Sequence, residues 1–185
     1  GENFAIVTYQ SGCNNDCYTL FFFDIDSDDY EWRDQAGSLH KVVLSYDGSS
    51  LAVQQKWSPF NLIYYDTDDS SPEWSVLIGA ESFAFSNNGD YLVVGGGSND
   101  KNIALYDTES STPEWTFDTD EDDVDIEVVD ISADGKFIVA QEYSSESSYS
   151  EKLYYFSKNS STPIWSTSGL DLRANRNNWD SNILS

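Results

Sequence analysis

One pattern recurs four times along this chain and leaves few folds open to it. Phe21-Phe22-Phe23-Asp24, Ile63-Tyr64-Tyr65-Asp66, Ala104-Leu105-Tyr106-Asp107 and Tyr154-Tyr155-Phe156-Ser157 are each followed by a polar turn and then by a tryptophan, at Trp32, Trp74, Trp115 and Trp165. Pro72, Pro113 and Pro163 stand two residues before three of these tryptophans. A second marker falls between them: Ser45-Tyr46-Asp47-Gly48, Ser86-Asn87-Asn88-Gly89 and Ser132-Ala133-Asp134-Gly135, each leading into an apolar run. A period of roughly 40 to 50 residues belongs to repeat architectures, in which one unit cannot bury its hydrophobic face alone and stacks on its neighbours.

Each repeat holds four short strands, A to D. In the second they are expected over 41–45, 51–55, 61–65 and 73–78. The Asp-Gly or Asn-Gly step between A and B supplies the positive φ that a tight hairpin needs. Strand A alternates, placing Val42 with Leu44, Phe83 with Phe85, and Val129 with Ile131 on one face. Aromatic residues make up 15% of the chain and Met is absent, a balance that favours strands over helices. The expectation is an all-β domain of four four-stranded antiparallel units, with boundaries near 1–38, 39–79, 80–119 and 120–169 and a tail over 170–185. Trp32, Trp74, Trp115 and Trp165, one per unit at the head of strand D, are expected to pack between neighbouring units.

The stretch 105–117 resembles the tryptophan-docking repeat of quinoprotein-like (PQQ-type) β-propellers, and 131–139 resembles the A–B hairpin of WD40-like propellers. Together the two motifs cover nearly the whole chain, and the resemblance implies propeller-type blades. It carries little about function, because propellers host unrelated activities. The Thr-Gly that usually precedes the docking tryptophan is replaced here by Thr-Pro or Ser-Pro, and no quinone-binding residues map onto this sequence. That cofactor is therefore not carried over.

The repeat is circularly shifted. Gly1-Glu2-Asn3-Phe4 aligns with Gly48-Ser49-Ser50-Leu51, so the chain opens inside an A–B turn and the first unit lacks its own strand A. The tail takes the place of one more strand A, with Gly169-Leu170-Asp171-Leu172-Arg173-Ala174 as the candidate. Either the tail closes onto its own first unit as a four-bladed ring, or it fills the gap in another copy and builds filaments, or the chain is part of a longer propeller. An assembly surface is expected at Phe4, Ile6, Leu170, Leu172, Arg173, Arg176 and Trp179. The tail is electrically neutral, whereas the whole chain carries a formal charge of -24.

That charge argues against nucleic acid and anionic membranes as partners, since both require a basic surface. No apolar run reaches the roughly 18 residues a membrane span requires. Cys13 and Cys17 flank Asn-Asn-Asp and read as a local disulfide, which together with an opening Gly1 suggests a processed extracellular or cell-surface protein. The partners expected are further copies of the chain, or an extracellular protein or glycan. Asn159-Ser160-Ser161 is a glycosylation sequon.

Catalytic chemistry finds little support. His40 is the only histidine and no nucleophile elbow accompanies it. Asp130 takes the strand A position of Val43 and Ala84 and is expected at a channel mouth. No cofactor is expected. Calcium is the metal that the acidic turns would suit, through Asp24, Asp26 and Asp28 in one and Asp120 and Asp122 in the other, although neither run matches an EF-hand loop. The reading is a non-catalytic structural or interaction protein.

Overall fold

A computed structural model describes residues 3–10, 17–35, 37–55, 60–97, 100, 102–119, 124–144 and 151–168. They form fifteen strands: β1 (Asn3–Gln10), β2 (Cys17–Asp24), β3 (Trp32–Asp34), β4 (Leu39–Leu44), β5 (Ser50–Gln55), β6 (Asn61–Asp66), β7 (Trp74–Leu77), β8 (Ala80–Phe85), β9 (Tyr91–Gly96), β10 (Asn102–Asp107), β11 (Trp115–Asp118), β12 (Val124–Ile131), β13 (Phe137–Ser144), β14 (Lys152–Ser157) and β15 (Trp165–Ser168). Among the described residues there is no helix, and none long and apolar enough to cross a membrane.

The strands make four antiparallel meanders in chain order. β4 to β7, β8 to β11 and β12 to β15 are four-stranded sheets, and β1-β2-β3 is three-stranded. The sheets are propeller-type blades and do not close into a barrel. The fourth strand expected for the first sheet falls in the tail, outside the described residues. The sheets follow one another through their first strands, with β1 against β4, β4 against β8, and β8 and β9 against β12.

The A–B hairpins show why Ser-x-Asp/Asn-Gly recurs. Gly48, Gly89 and Gly135 all adopt positive φ, between 70° and 80°. Each donates its N–H to the carbonyl of the serine three residues earlier. That serine's Oγ accepts the N–H of the residue five positions on, at 3.0 Å in Ser45 and 3.1 Å in Ser86 and Ser132. The same Oγ donates to the side chain of Asp47, Asn88 or Asp134. The hairpin tips also link the sheets, since Asp47 N–H donates to Asn87 O and Asn87 N–H to Ala133 O, each at 3.1 Å.

Among the described residues there is no single central core. Three apolar clusters lie between consecutive sheets. Leu20, Phe22 and Trp32 meet Leu51, Val53 and Tyr65 across the first junction. Ala52, Leu62 and Tyr64 meet Phe83, Phe85 and Leu92 across the second. Val93, Ile103 and Leu105 meet Val129, Ile138 and Phe156 across the third. An inner sheet thus buries both faces, as in β5, where consecutive residues Leu51, Ala52 and Val53 are all inaccessible. Burial of this kind stabilises by roughly 1.5–3 kcal/mol per large side chain, and the face-to-face junctions account for most of it.

Candidate functional site

The tryptophans define the junctions. Within its own sheet each stands opposite a fixed position of strand C: Trp32 opposite Phe22, Trp74 opposite Tyr64, Trp115 opposite Leu105 and Trp165 opposite Tyr155. Three of them also reach the next sheet. Trp32 stacks on Tyr65 at 5.8 Å and Trp74 on Tyr106 at 5.6 Å, and Trp115 lies 5.4 Å from Phe156. Their indole Nε1 groups donate to the main-chain carbonyls of Thr67, Thr108 and Lys158 at 2.7, 2.8 and 2.6 Å. Those acceptors occupy one equivalent position, the residue after the last of strand C. Every docked indole therefore lies between a side chain of its own sheet and an aromatic of the next, with its one donor satisfied.

A groove opens beside two of these junctions. Glu31 and Trp32 face Thr67, Asp68 and Asp69 in the first, and Glu114 and Trp115 face Lys158 and Asn159 in the other. The residue before the tryptophan and the residue after strand C thus line the same space. Lys158 Nζ also donates to Tyr91 Oη at 2.6 Å, tying the fourth sheet to the third. Nearer the first strands, Lys41 Nζ lies 4.9 Å from the centre of the Phe83 ring. Burial lowers the pKa of Lys41 from its ordinary value, and the nearby Glu81 offsets part of that effect.

Trp165 differs from the other three. It stacks on Tyr155 at 5.5 Å, but its outer side is open and it is 45% exposed, against 8% for Trp32. Phe137 and Ile164 are exposed on the same end of the molecule, and Phe137 stacks on Tyr155. At the opposite end, Phe4 and Ile6 project from the outer face of β1. Register pairs Phe4 with Phe23 and Ile6 with Phe21, and the Phe4 and Phe23 rings stack at 4.8 Å. Ile25, next to this face, is 63% exposed. Both terminal sheets carry an uncovered aromatic face, the outward half of a junction.

Asp130 lies in β12. It pairs with Val139 on the fourth sheet's outward face, where Val43 and Ala84 of the earlier sheets pack into the next junction, and its Oδ1 accepts the Ile131 N–H at 2.9 Å. His40 is exposed at a register shift in β4. Asp24 Oδ1 accepts the Asp26 N–H at 2.8 Å, which shapes that turn, and Asp28 is exposed. Asp125, just after the second acidic turn, pairs with Tyr143 inside β12. Among the described residues no three His, Cys, Asp or Glu side chains cluster to hold a metal ion. Asn159 is exposed in the turn after β14. Cys17 begins β2, whereas Cys13, Asp120, Asp122, Leu170, Leu172, Arg173, Arg176 and Trp179 lie outside the described residues.

Sequence reasoning missed the ring partners that the docking tryptophans meet in the next sheet, Tyr65, Tyr106 and Phe156. Phe23, Tyr65, Tyr106 and Phe156 share one position of the repeat, the last before Asp or Ser, and that recurring aromatic was the available signal.

No family model matches the chain, and no curated protein does. Solved structures do. A chain of a eukaryotic initiation factor matches with a TM-score of 0.62 at 12% identity, over 89% of this chain and 42% of its own. A chain of a mitotic checkpoint complex gives 0.61 at 14% identity, over 89% and 48%. BamB from Moraxella catarrhalis gives 0.58 at 14% identity, over 88% and 49%. These likenesses show a propeller-type fold, and this chain spans less than half the length of each.

Proposed function

We propose that this protein is a non-catalytic interaction module of the extracellular space or cell surface, which assembles with its own kind by strand exchange into the first sheet. The observation that carries this reading is the edge of β1. Among the described residues β1 pairs with β2 alone and has no strand on its other side, whereas the equivalent strands β5, β9 and β13 are paired on both. An open strand edge offers a row of main-chain donors and acceptors, and adding a strand is the direct way to satisfy them. The segment 170–174, in the register of one more strand A, is the candidate donor, and in assembly it comes from another copy. The formal charge of -24 and the spacing of Cys13 and Cys17 support an exported protein.

The test is removal of residues 170–185. Light scattering and electron microscopy of the full chain should show assemblies that the truncated chain does not form, while the truncated chain keeps its β-type circular dichroism. Assembly that survives the truncation rejects strand exchange.

A further inference from the structure

The two terminal faces are complementary halves of a single junction, and the match lies in residues that depart from the repeat. At the three internal positions the residue before the docking tryptophan is acidic: Glu31, Glu73 and Glu114. In the last sheet it is Ile164. The residue after strand C is polar in the three sheets that receive a tryptophan: Thr67, Thr108 and Lys158. In the first sheet it is Ile25. These two positions line one groove at the internal junctions, Glu31 with Thr67 and Glu114 with Lys158. A junction formed between the last sheet and the first would therefore set Ile164 against Ile25, apolar against apolar. Trp165 would lie between Tyr155 and Phe23, and its Nε1 would find the Ile25 carbonyl.

Within one copy these groups are apart. Ile164 is 55% exposed and Ile25 63%, so neither covers the other. We propose that a second copy of this chain supplies the missing half, with Trp165 and Ile164 of one copy docking on Phe23 and Ile25 of the next and continuing the internal stacking across the boundary between molecules. The proposal rests on the reading of the chain as a self-assembling module and names the face through which copies meet. It is also continuous with strand exchange. In the three internal steps the strand bearing the tryptophan is followed in sequence by the first strand of the sheet it docks on, and residue 170 stands in that relation to Trp165. An exposed pair of matched apolar faces, each rimmed by polar residues, is the surface expected of such an interface.

The test uses the full chain and the chemistry of the other junctions. Ile164→Glu restores the residue type of the three internal sheets, and Ile25→Lys the type found at Lys158, so both are compatible with the fold. Each alone should weaken self-association about tenfold or more in sedimentation or light scattering, because it leaves a charge against an isoleucine. Trp165→Ala should do the same. The double variant Ile164→Glu/Ile25→Lys should recover association, since the opposite charges then meet across every boundary between copies, and that recovery should fade with added salt. Circular dichroism and melting check that each variant folds. A wild-type chain that stays at 20.8 kDa at all concentrations overturns the proposal, as does association indifferent to all three single variants. If the variants have no effect while removal of 170–185 stops assembly, strand exchange stands and face docking falls. If the variants dissociate the assembly while the truncation does not, the reverse holds.

Discussion

Trp74 Nε1 donates to the main-chain carbonyl of Thr108 at 2.8 Å, a hydrogen bond that leaves one sheet and ends in the next. The Thr108 hydroxyl donates in turn to the carbonyl of Gly89 at 2.9 Å, so the same residue that receives the indole also anchors the hairpin tip of its own sheet. Thr67 repeats the arrangement, accepting from Trp32 and donating to the Gly48 carbonyl at 2.7 Å. The junctions are joined by direction-specific polar contacts as well as by apolar area.

Substituting the docked indole should therefore separate the two contributions. Trp74→Ala is expected to destabilise the chain by about 3–5 kcal/mol, the range for deleting a large packed aromatic. Trp74→Phe keeps the stacking between Tyr64 and Tyr106 and loses the hydrogen bond, for about 1–2 kcal/mol. Trp165→Ala in the isolated chain, at an open face, should cost well under half as much as Trp74→Ala. Urea unfolding of the three variants checks the order.

The hairpin glycines carry a backbone requirement. Gly48 has φ +80°, and a Cβ there would stand 2.6 Å from Asn3 Nδ2 of the first sheet. Gly48→Ala should cost about 1 kcal/mol or more from the strained φ and the displaced neighbour. Thermal melting measures it, and Ser49→Ala, at an exposed neighbour, serves as the comparison.

Alkaline pH should loosen the first junction. Tyr65 is fully buried and its hydroxyl donates to Asp34 Oδ2 at 2.8 Å. Burial, then the hydrogen bond to Asp34 and its charge, push the phenol far above its ordinary value of 10.0. The fold thus favours the neutral phenol. This contribution is fully present below the unfolded pKa of about 10 and is lost as pH rises above it. Stability should fall above pH 10, and less steeply in Tyr65→Phe, as followed by denaturant midpoints across that range.

At the acid end Asp134 acts in the opposite sense. Hydrogen bonds from Lys136 and Ser132 lower its pKa from 3.8 to about 2. The turn therefore favours the carboxylate, and that preference, complete above the ordinary value, fades as pH falls toward about 2. The group is exposed, so the effect is local. Carbon-detected NMR titration should find the Asp134 midpoint well below those of ordinary aspartates, and Lys136→Ala should move it upward.

Much of the fold was legible in the sequence because its determinants are local. Asp-Gly and Asn-Gly after serine specify the A–B hairpin through φ and one hydroxyl. The expected second-unit strands over 41–45, 51–55, 61–65 and 73–78 correspond to Leu39–Leu44, Ser50–Gln55, Asn61–Asp66 and Trp74–Leu77 in the structure. The placing of Val42 with Leu44 and of Phe83 with Phe85 on one face also follows from a period of two, and each pair lies in the junction with the preceding sheet. The same alternation puts Asp130 on the face of β12 opposite Val129 and Ile131.

The repeat unit is set locally, since hairpin turns, alternation and the tryptophan position rest on interactions between residues close in the chain. Which aromatic receives each indole, and that none among the described residues receives Trp165 from beyond its own sheet, follows from how the sheets pack. Trp74 and Thr108 meet through the packing of separate sheets, a relation that no local pattern encodes. The contrast between a buried Trp32 and an exposed Trp165 has the same origin: the two residues head equivalent strands, and what differs is whether a further described sheet packs on them.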